Sequence, residues 1–223
     1  MVRWVIRLWL ATLLGAGVVA SAQGQIFADK DTYLADDWAT LTREHHTVAI
    51  LPFEVTLRLK PSKRKKLSQA EFNTLLEGDA RAVQELLYDF LLKRLQRKEI
   101  TVEVQDIYQT NTLLLQKGVT SQSLFHYSRS DLARLLGVDA VLGGKLSTNR
   151  PLADPEGKIP RSVFDALGST IEGEADLQLH DGHSGKLLWK TEEHIKKKYT
   201  RGVEGVYENL LKRASKSLPY FKR

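Results

Sequence analysis

Residues 46–60 read HTVAILPFEVTLRLK, and Val48, Ala49, Ile50 and Leu51 follow one another with no polar side chain to turn toward water. Their apolar and β-branched content marks a strand. A strand that is apolar at consecutive positions has no solvent face, so it belongs at the centre of a sheet covered on both sides. Pro52 cannot donate a ladder hydrogen bond, so the strand is expected to bulge or leave the sheet centre there. Beyond it, Val55, Leu57 and Leu59 alternate with polar residues.

Helices to cover such a strand can be read nearby. Ser68 with Glu71 forms a capping box, and Val83, Leu86, Leu87, Phe90 and Leu91 recur at helical spacing, so a helix is expected from there to about Arg97. Gly78 and Asp79 are candidates for a break that divides it in two. Lys93, Arg94, Arg97 and Lys98 crowd its carboxyl end, where cations stabilise the helix dipole. ITVEVQ, residues 100–105, alternates as a short strand. Asp106 can cap a helix containing Leu113, Leu114 and Leu115 that Gly118 ends, and Ser128 with Asp131 opens another through Leu136, with Gly137 in the left-handed cap position. Residues 138–147 read as a buried strand. Ile171, Gly173, Ala175, Leu177 and Leu179 alternate with polar residues as a half-solvated strand. HDGHSGK turns the chain into LLWKTEEHI, and Val203, Val206, Tyr207, Leu210, Leu211 and Ala214 close it as an amphipathic helix. The fold class expected is α/β (α+β): a mixed β-sheet with packed helices, ending in an antiparallel hairpin and a C-terminal amphipathic helix.

The first residues set the compartment. Arg3 and Arg7 precede an apolar stretch over residues 8–20, and Ala20-Ser21-Ala22 has the small-x-small pattern of a signal-peptidase site. Residues 1–22 are therefore expected to be a cleaved signal peptide, 23–45 a loosely ordered leader with a short helix near 37–42, and 46–218 a single α/β domain. No later segment reaches membrane-spanning length without charges, so no transmembrane segment is expected after cleavage. The chain has no cysteine, so no lipid is expected on a cysteine behind the signal, and an exported fold must be held by burial alone. The expected location is periplasmic and unlipidated. The net charge of +6 falls to +4 when Arg3 and Arg7 leave with the signal, a mild excess that suits an anionic surface or acidic partner.

The stretch ARLLGVDAVLGGKL, residues 133–146, contains a glycine pair before Lys145. A phosphate-cradling loop needs G-x-x-x-x-G-K-[ST] after a strand and before a helix, so that backbone N–H groups and a helix amino end meet the anion. Here the order is reversed and Leu146 replaces the hydroxyl residue. Gly143 and Gly144 read instead as strand positions where a neighbour comes close.

Taken together, VAILPF (48–53), ARLLGVDAVLGGKL (133–146) and GKLLWK (185–190) resemble a family of exported bacterial α/β domains. That family includes the amino-terminal domain of the translocation protein TolB, the curli secretion-channel protein and the lipoprotein activators of penicillin-binding proteins. The first motif resembles its opening central strand, and the second a helix running through a glycine turn into a neighbouring strand. The resemblance covers roughly residues 46–217 and implies a module that binds other envelope proteins. The channel and the activators are lipid-anchored at a cysteine that this chain lacks. The 149–168 connector, broken by Pro151, Pro155 and Pro160, does not suit the channel's long pore strands.

Chemical constellations are sparse. His180 and His183 flank a turn with Asp181, but the spacing brings no third ligand from His45, His46, His126 or His194, so no metal and no cofactor are expected. Glu172, Glu174 and Asp176 share one strand face, which offers an alternative reading as an envelope hydrolase; alternation makes them more simply a solvated face. There is no G-x-S-x-G elbow and no cysteine nucleophile. RLKPSKRKK, residues 58–66, holds six cations in nine residues. An exported chain does not meet nucleic acid, and no aromatic residue is interleaved to stack bases. The run reads as a solvated loop or as a docking segment for an acidic partner, anionic lipid or cell-wall polymer. Lys63, Arg64, Lys65, Lys66 and, in the connector, Phe164 are the expected partner-binding residues; Phe164 also suits a cap on the core. The expected function is an exported, non-catalytic protein-binding module in cell-envelope assembly or cell-wall regulation. Amino-end sequencing of the native protein should begin at Gln23, and a retained Met1 would remove the ground for a periplasmic location.

Overall fold

The computed structural model describes residues 32–152, 170–198 and 203–222. The strands β1 (Thr32–Leu34), β2 (Thr47–Ile50), β3 (Glu54–Leu57), β4 (Glu103–Val104), β5 (Ala140–Thr148), β6 (Thr170–Asp181) and β7 (Leu187–Lys198) form one mixed sheet. Its order is β1-β7-β6-β5-β2-β4, with β3 also paired to β5. The pairings of β2 with β4 and of β2 and β3 with β5 are parallel, and those along β5-β6-β7-β1 are antiparallel. The helices are α1 (Trp38–Leu41), α2 (Pro61–Arg64), α3 (Gln69–Gln96), α4 (Ile107–Gln116), α5 (Arg129–Leu136) and α6 (Val203–Ala214).

The apolar run of β2 is covered on both sides. On one face Val48, Ile50, Leu142, Leu177 and Trp189 pack with Val83, Leu87 and Leu91 of α3 and Leu210, Leu211 and Ala214 of α6. On the other, Ala49, Leu51 and Val141 pack with Leu114 of α4 and Leu132, Ala133 and Leu136 of α5. Burying each large aliphatic side chain contributes roughly 1.5–3 kcal/mol, so these two clusters dominate the folding energy.

The strand breaks at Pro52 as its missing N–H requires. Ile50 stands opposite Leu142 and Glu54 opposite Lys145, so Leu51, Pro52 and Phe53 face only Gly143 and Gly144. One extra residue on the β2–β3 side makes a bulge, after which β3 resumes along β5. The glycine pair fits this crowding. A Cβ on Gly143 would meet the Leu51 Cβ at 3.3 Å, and one on Gly144 would fall on the Asp176 carbonyl of β6 and lie 3.1 Å from the Phe53 ring.

Helix ends follow their caps. The Ser68 hydroxyl accepts the Glu71 N–H at 3.2 Å while the Glu71 carboxylate accepts the Ser68 N–H at 2.7 Å. Asp106 accepts the N–H groups of Tyr108 and Gln109 at 2.9 and 3.0 Å. Ser128 accepts the Asp131 N–H at 3.0 Å, and Gly137 ends α5 at φ +68°. One expectation is corrected here: Gly78 and Asp79 do not divide α3, which runs unbroken for 28 residues. Both are buried, and Asp79 Oδ1 accepts the Leu152 N–H at 2.8 Å, so the acid anchors the strand exit of β5 instead of ending a helix. The strand expected over 100–105 is shorter, because Ile100 bridges Phe221 and the Thr101 N–H donates to the Tyr220 carbonyl at 3.0 Å.

The segment expected to be a loose leader contributes to the sheet. Thr32, Tyr33 and Leu34 pair with Thr191, Lys190 and Trp189, and the Ala35 N–H donates to the Leu188 carbonyl at 2.9 Å. The expected signal peptide and most of the 149–168 connector, Phe164 included, lie outside the described residues.

The glycine pair gives a test of this packing. Gly144→Ala should cost about 3 kcal/mol in urea unfolding, since its methyl can be admitted only by moving β6. Gly137→Ala, where nothing lies within 4 Å, should cost only the left-handed conformation, about 1 kcal/mol. Equal costs would refute the close approach at Gly144.

Candidate functional site

Helices α4 and α5 cover the second sheet face around β2 and the start of β5. Farther along β5, β6 and β7 the same face carries charged side chains, and they are paired across strands. Glu172 bonds Lys196 at 2.8 Å, directly opposite in register. Glu174 lies 3.5 Å from Arg58 and 3.9 Å from His194. Asp176 meets Lys190 at 3.2 Å, and Lys145 meets Glu54 at 3.0 Å. The hydrogen bond and charge of Lys196 hold the Glu172 carboxyl below the usual carboxylate range, and the bond to Asp176 raises Lys190 above the usual lysine value. An open depression of about 680 Å³ lies on this face between Arg58, Asn149, Glu174 and Lys196.

This arrangement is poor for hydrolysis. A carboxyl pair needs one member kept protonated by a raised pKa to act as general acid. Glu172 is shifted the other way, and each acid of the strand already has a cation within 4 Å. The face is better suited to contact. Tyr33, 48 % exposed, stands in register with Lys190 at one margin. Phe125, 65 % exposed, lines a small recess with Pro52, Lys145 and Gln178 at the other.

The basic stretch is divided. Residues 61–64 form α2 rather than a free loop. Arg64 is tied into the fold: its guanidinium lies 4.2 Å over the Phe72 ring and donates to the Leu67 carbonyl at 3.0 Å. Lys65 and Lys66 are exposed, and Lys63 is half-buried. Among the histidines, His183 is exposed in its turn. Burial, aided by Arg129 and opposed by Asp176, pushes His180 down to about 4. Among the described residues, no three His, Asp or Glu side chains are grouped to hold a metal ion. No helix among them is long and apolar enough to cross a membrane.

One polar cluster has no precursor in the sequence reading. His45, Asp181 and Tyr220 are 7 %, 5 % and 2 % exposed. His45 Nδ1 lies 2.7 Å from the Tyr220 hydroxyl and Nε2 lies 3.0 Å from Asp181 Oδ1. An ionised Asp181 can only accept, so Nε2–H donates to it and, in the neutral imidazole, Nδ1 accepts from Tyr220. Burial works to raise Asp181, but bonds from the Ser184 hydroxyl and N–H and from His45 outweigh it and hold the carboxyl below its ordinary value. Asp139 is likewise held low, against burial, by the N–H groups of His46 and Thr47. Burial, with Asp139 and Asp181 nearby, raises the Tyr220 phenol far above its ordinary value. The one local signal was Asp181 with Ser184 three residues on, a turn in which the aspartate binds backbone ahead of it.

No protein-family model matches the chain, and none of the curated proteins compared with it matches. Among solved structures, the chain is similar to lipoprotein GNA1162 from Neisseria meningitidis, at 15 % identity, over 75 % of this chain and 94 % of that one, with a TM-score of 0.42. It is similar to the PelC dodecamer from Paraburkholderia phytofirmans at 11 % identity, over 80 % and 90 %, with a TM-score of 0.40. It is similar to LpoB of Escherichia coli at 13 % identity, over 88 % and 84 %, with a TM-score of 0.42. The Neisseria protein is a lipoprotein, whereas this chain was read from its sequence as unlipidated.

The His45 cluster sets a pH window. Carboxylates with depressed folded pKa values contribute stability that is complete above about pH 4 and is lost as pH falls through those values. The raised tyrosine contributes stability that is complete below about pH 10 and is lost as pH rises beyond it. Urea midpoints across pH should show both flanks. Asp181→Asn should cost about 1–3 kcal/mol at neutral pH and flatten the acid flank, and Tyr220→Phe should flatten the alkaline one. Unchanged flanks in both variants would refute the cluster's role.

Proposed function

We propose that this chain is an exported, non-catalytic protein-binding module of the bacterial cell envelope, acting in envelope assembly or cell-wall regulation. The observation that carries the reading is the open sheet face, where Glu172, Glu174 and Asp176 of β6 each have a cation within 4 Å and whose margins present exposed aromatic rings. Interfaces are enriched in tyrosine, phenylalanine and arginine, and a flat face with fixed charges offers a partner registry without a reaction centre. The signal-like amino end supports the location, and the family resemblance of VAILPF and ARLLGVDAVLGGKL supports the role.

Lys63, Lys65 and Lys66 belong to this proposal as a steering patch at the end of α2 and just after it. Their charges raise the rate of encounter with an acidic partner more than they hold the complex. Arg64 is kept in the proposal only as the residue that fixes the patch, through Phe72 and Leu67.

Cross-linking in envelope extracts, followed by mass spectrometry, tests the reading. The wild-type chain should capture one envelope protein reproducibly. Tyr33→Ala combined with Phe125→Ala should reduce that capture about tenfold or more while leaving the thermal midpoint in place. Replacing Lys63, Lys65 and Lys66 by serine should weaken capture chiefly at low salt. Turnover of cell-wall polymer by the purified chain that disappears in Glu174→Gln would overturn the non-catalytic assignment.

A further inference from the structure

The carboxyl end of α3 and the last residues of the chain meet in a groove that the proposed function does not use. Its volume is about 420 Å³, with Phe90 and Arg94 on one side and Lys216, Phe221 and Lys222 on the other. The terminal segment is fixed there by its backbone, since Ile100 bridges Phe221 and the Lys222 N–H donates to the Glu99 carbonyl at 2.8 Å. The Phe90 and Phe221 ring centroids lie 6.4 Å apart. The Arg94 guanidinium stands 4.9 Å from the first and 5.9 Å from the second, and donates to the Glu99 carboxylate.

Arg94 is thus oriented and neutralised, and among the described residues no acid is paired with either lysine. Lys216 and Lys222 are exposed, and among the described residues no acidic side chain lines the groove. Lys93, Arg97 and Lys98 extend the positive charge along the exposed end of α3. The α3 dipole accounts for the cations on α3 itself. It does not account for Lys216 and Lys222, which arrive from a different part of the chain. Holding like charges together without a counterion raises the energy of the fold, and an anionic ligand relieves it.

We propose that this groove docks the chain on the phosphate headgroups of an anionic phospholipid surface. Two features favour lipid over an acidic protein. The free cations in the groove are lysines, hydrated point charges suited to a diffuse anionic surface, while the one arginine that could grip a carboxylate bidentately is already held by Glu99 and the rings. The half-buried Phe90 and Phe221 also give apolar contact beside the cations, the pairing that suits the boundary between headgroups and acyl chains.

Cosedimentation of the full chain with vesicles of phosphatidylcholine, alone or mixed with phosphatidylglycerol, tests the proposal. The apolar stretch near the amino end, with Arg3 and Arg7, is the same in wild type and variant, so its contribution cancels in that comparison. Binding should be stronger to the phosphatidylglycerol vesicles and should fall as salt rises. Lys216→Ser with Lys222→Ser should weaken that binding about 25-fold, roughly fivefold for each lysine, without changing phosphatidylcholine binding or the thermal midpoint. Equal binding to the two vesicles, or wild-type affinity in the variant, would overturn it. So would binding to polyglutamate without a phosphatidylglycerol preference, which would assign the groove to an acidic protein. The same variant should retain envelope-protein capture, so loss of either activity alone identifies which proposal has failed.

Discussion

The pairing of β5 with its neighbours is the constraint on which the rest of the structure depends. β5 carries β2 and β3 on one edge and β6 along its whole length on the other. It also feeds both cores, Leu142 and Leu146 into one and Val141 into the other. Pro52 forces three residues to stand opposite two at the middle of this pairing, and the backbones close up there. A Cβ at Gly144 would occupy the place of the Asp176 carbonyl. Any displacement of β6 would pass to β7 and then to β1, because each is held by the strand before it. A bulge placed at the sheet centre is thus compatible with a continuous sheet only because its partner residues have no side chains.

Features carried by a few adjacent residues were legible in the sequence. The capping residues Ser68, Asp106 and Ser128, the left-handed Gly137 and the interruption at Pro52 each express a local backbone preference that tertiary packing has no cause to override. The two-sided burial of Val48 through Leu51 was legible because a run with no polar position admits no other placement. Asp79 misled because an acid in an apolar helix face ordinarily marks an end, and its partner, the Leu152 N–H, is 73 residues away. The His45 cluster joins residues 136 and 175 positions apart. No window of sequence contains such a contact. β1 was missed for a related reason: three residues, TYL, carry no period, and their strand character comes wholly from the β7 edge that receives them.

Charge was legible as a count and not as a balance. RLKPSKRKK looked like the basic feature of the chain, but Arg64 lies on the Phe72 ring and is half withdrawn from solvent. The groove cations Arg94, Lys216 and Lys222 come from two distant segments and became a cluster only when Phe221 was brought to Ile100. Conversely, Glu172, Glu174 and Asp176 looked like a concentration of acid, but β7 sets Lys196 opposite Glu172 and His194 opposite Glu174, and Lys190, opposite Gln178, reaches diagonally past Glu192 to Asp176. Neutralisation is a property of strand pairing, which composition does not contain.

Among the described residues helices cover the sheet only in part, and this follows from the same register. Along β6 the residues on one face are Ala175, Leu177 and Leu179, which need the cover that α3 and α6 supply. Those on the other are Glu174, Asp176 and Gln178, which do not. Exposed ion pairs contribute only about 0–1 kcal/mol each to stability, so they are not what holds the hairpin in place. Their effect is on association. Alternating charges across neighbouring strands prevent an uncovered sheet face from adhering to any apolar surface, as an aliphatic face of that size would. On the proposed reading, a partner must present the complementary order of charges to bring its surface against Tyr33 and Phe125, and a surface with the wrong order is repelled before the rings make contact. The cross-strand pairs then set which partner docks, and the rings at the margins set how tightly it is held.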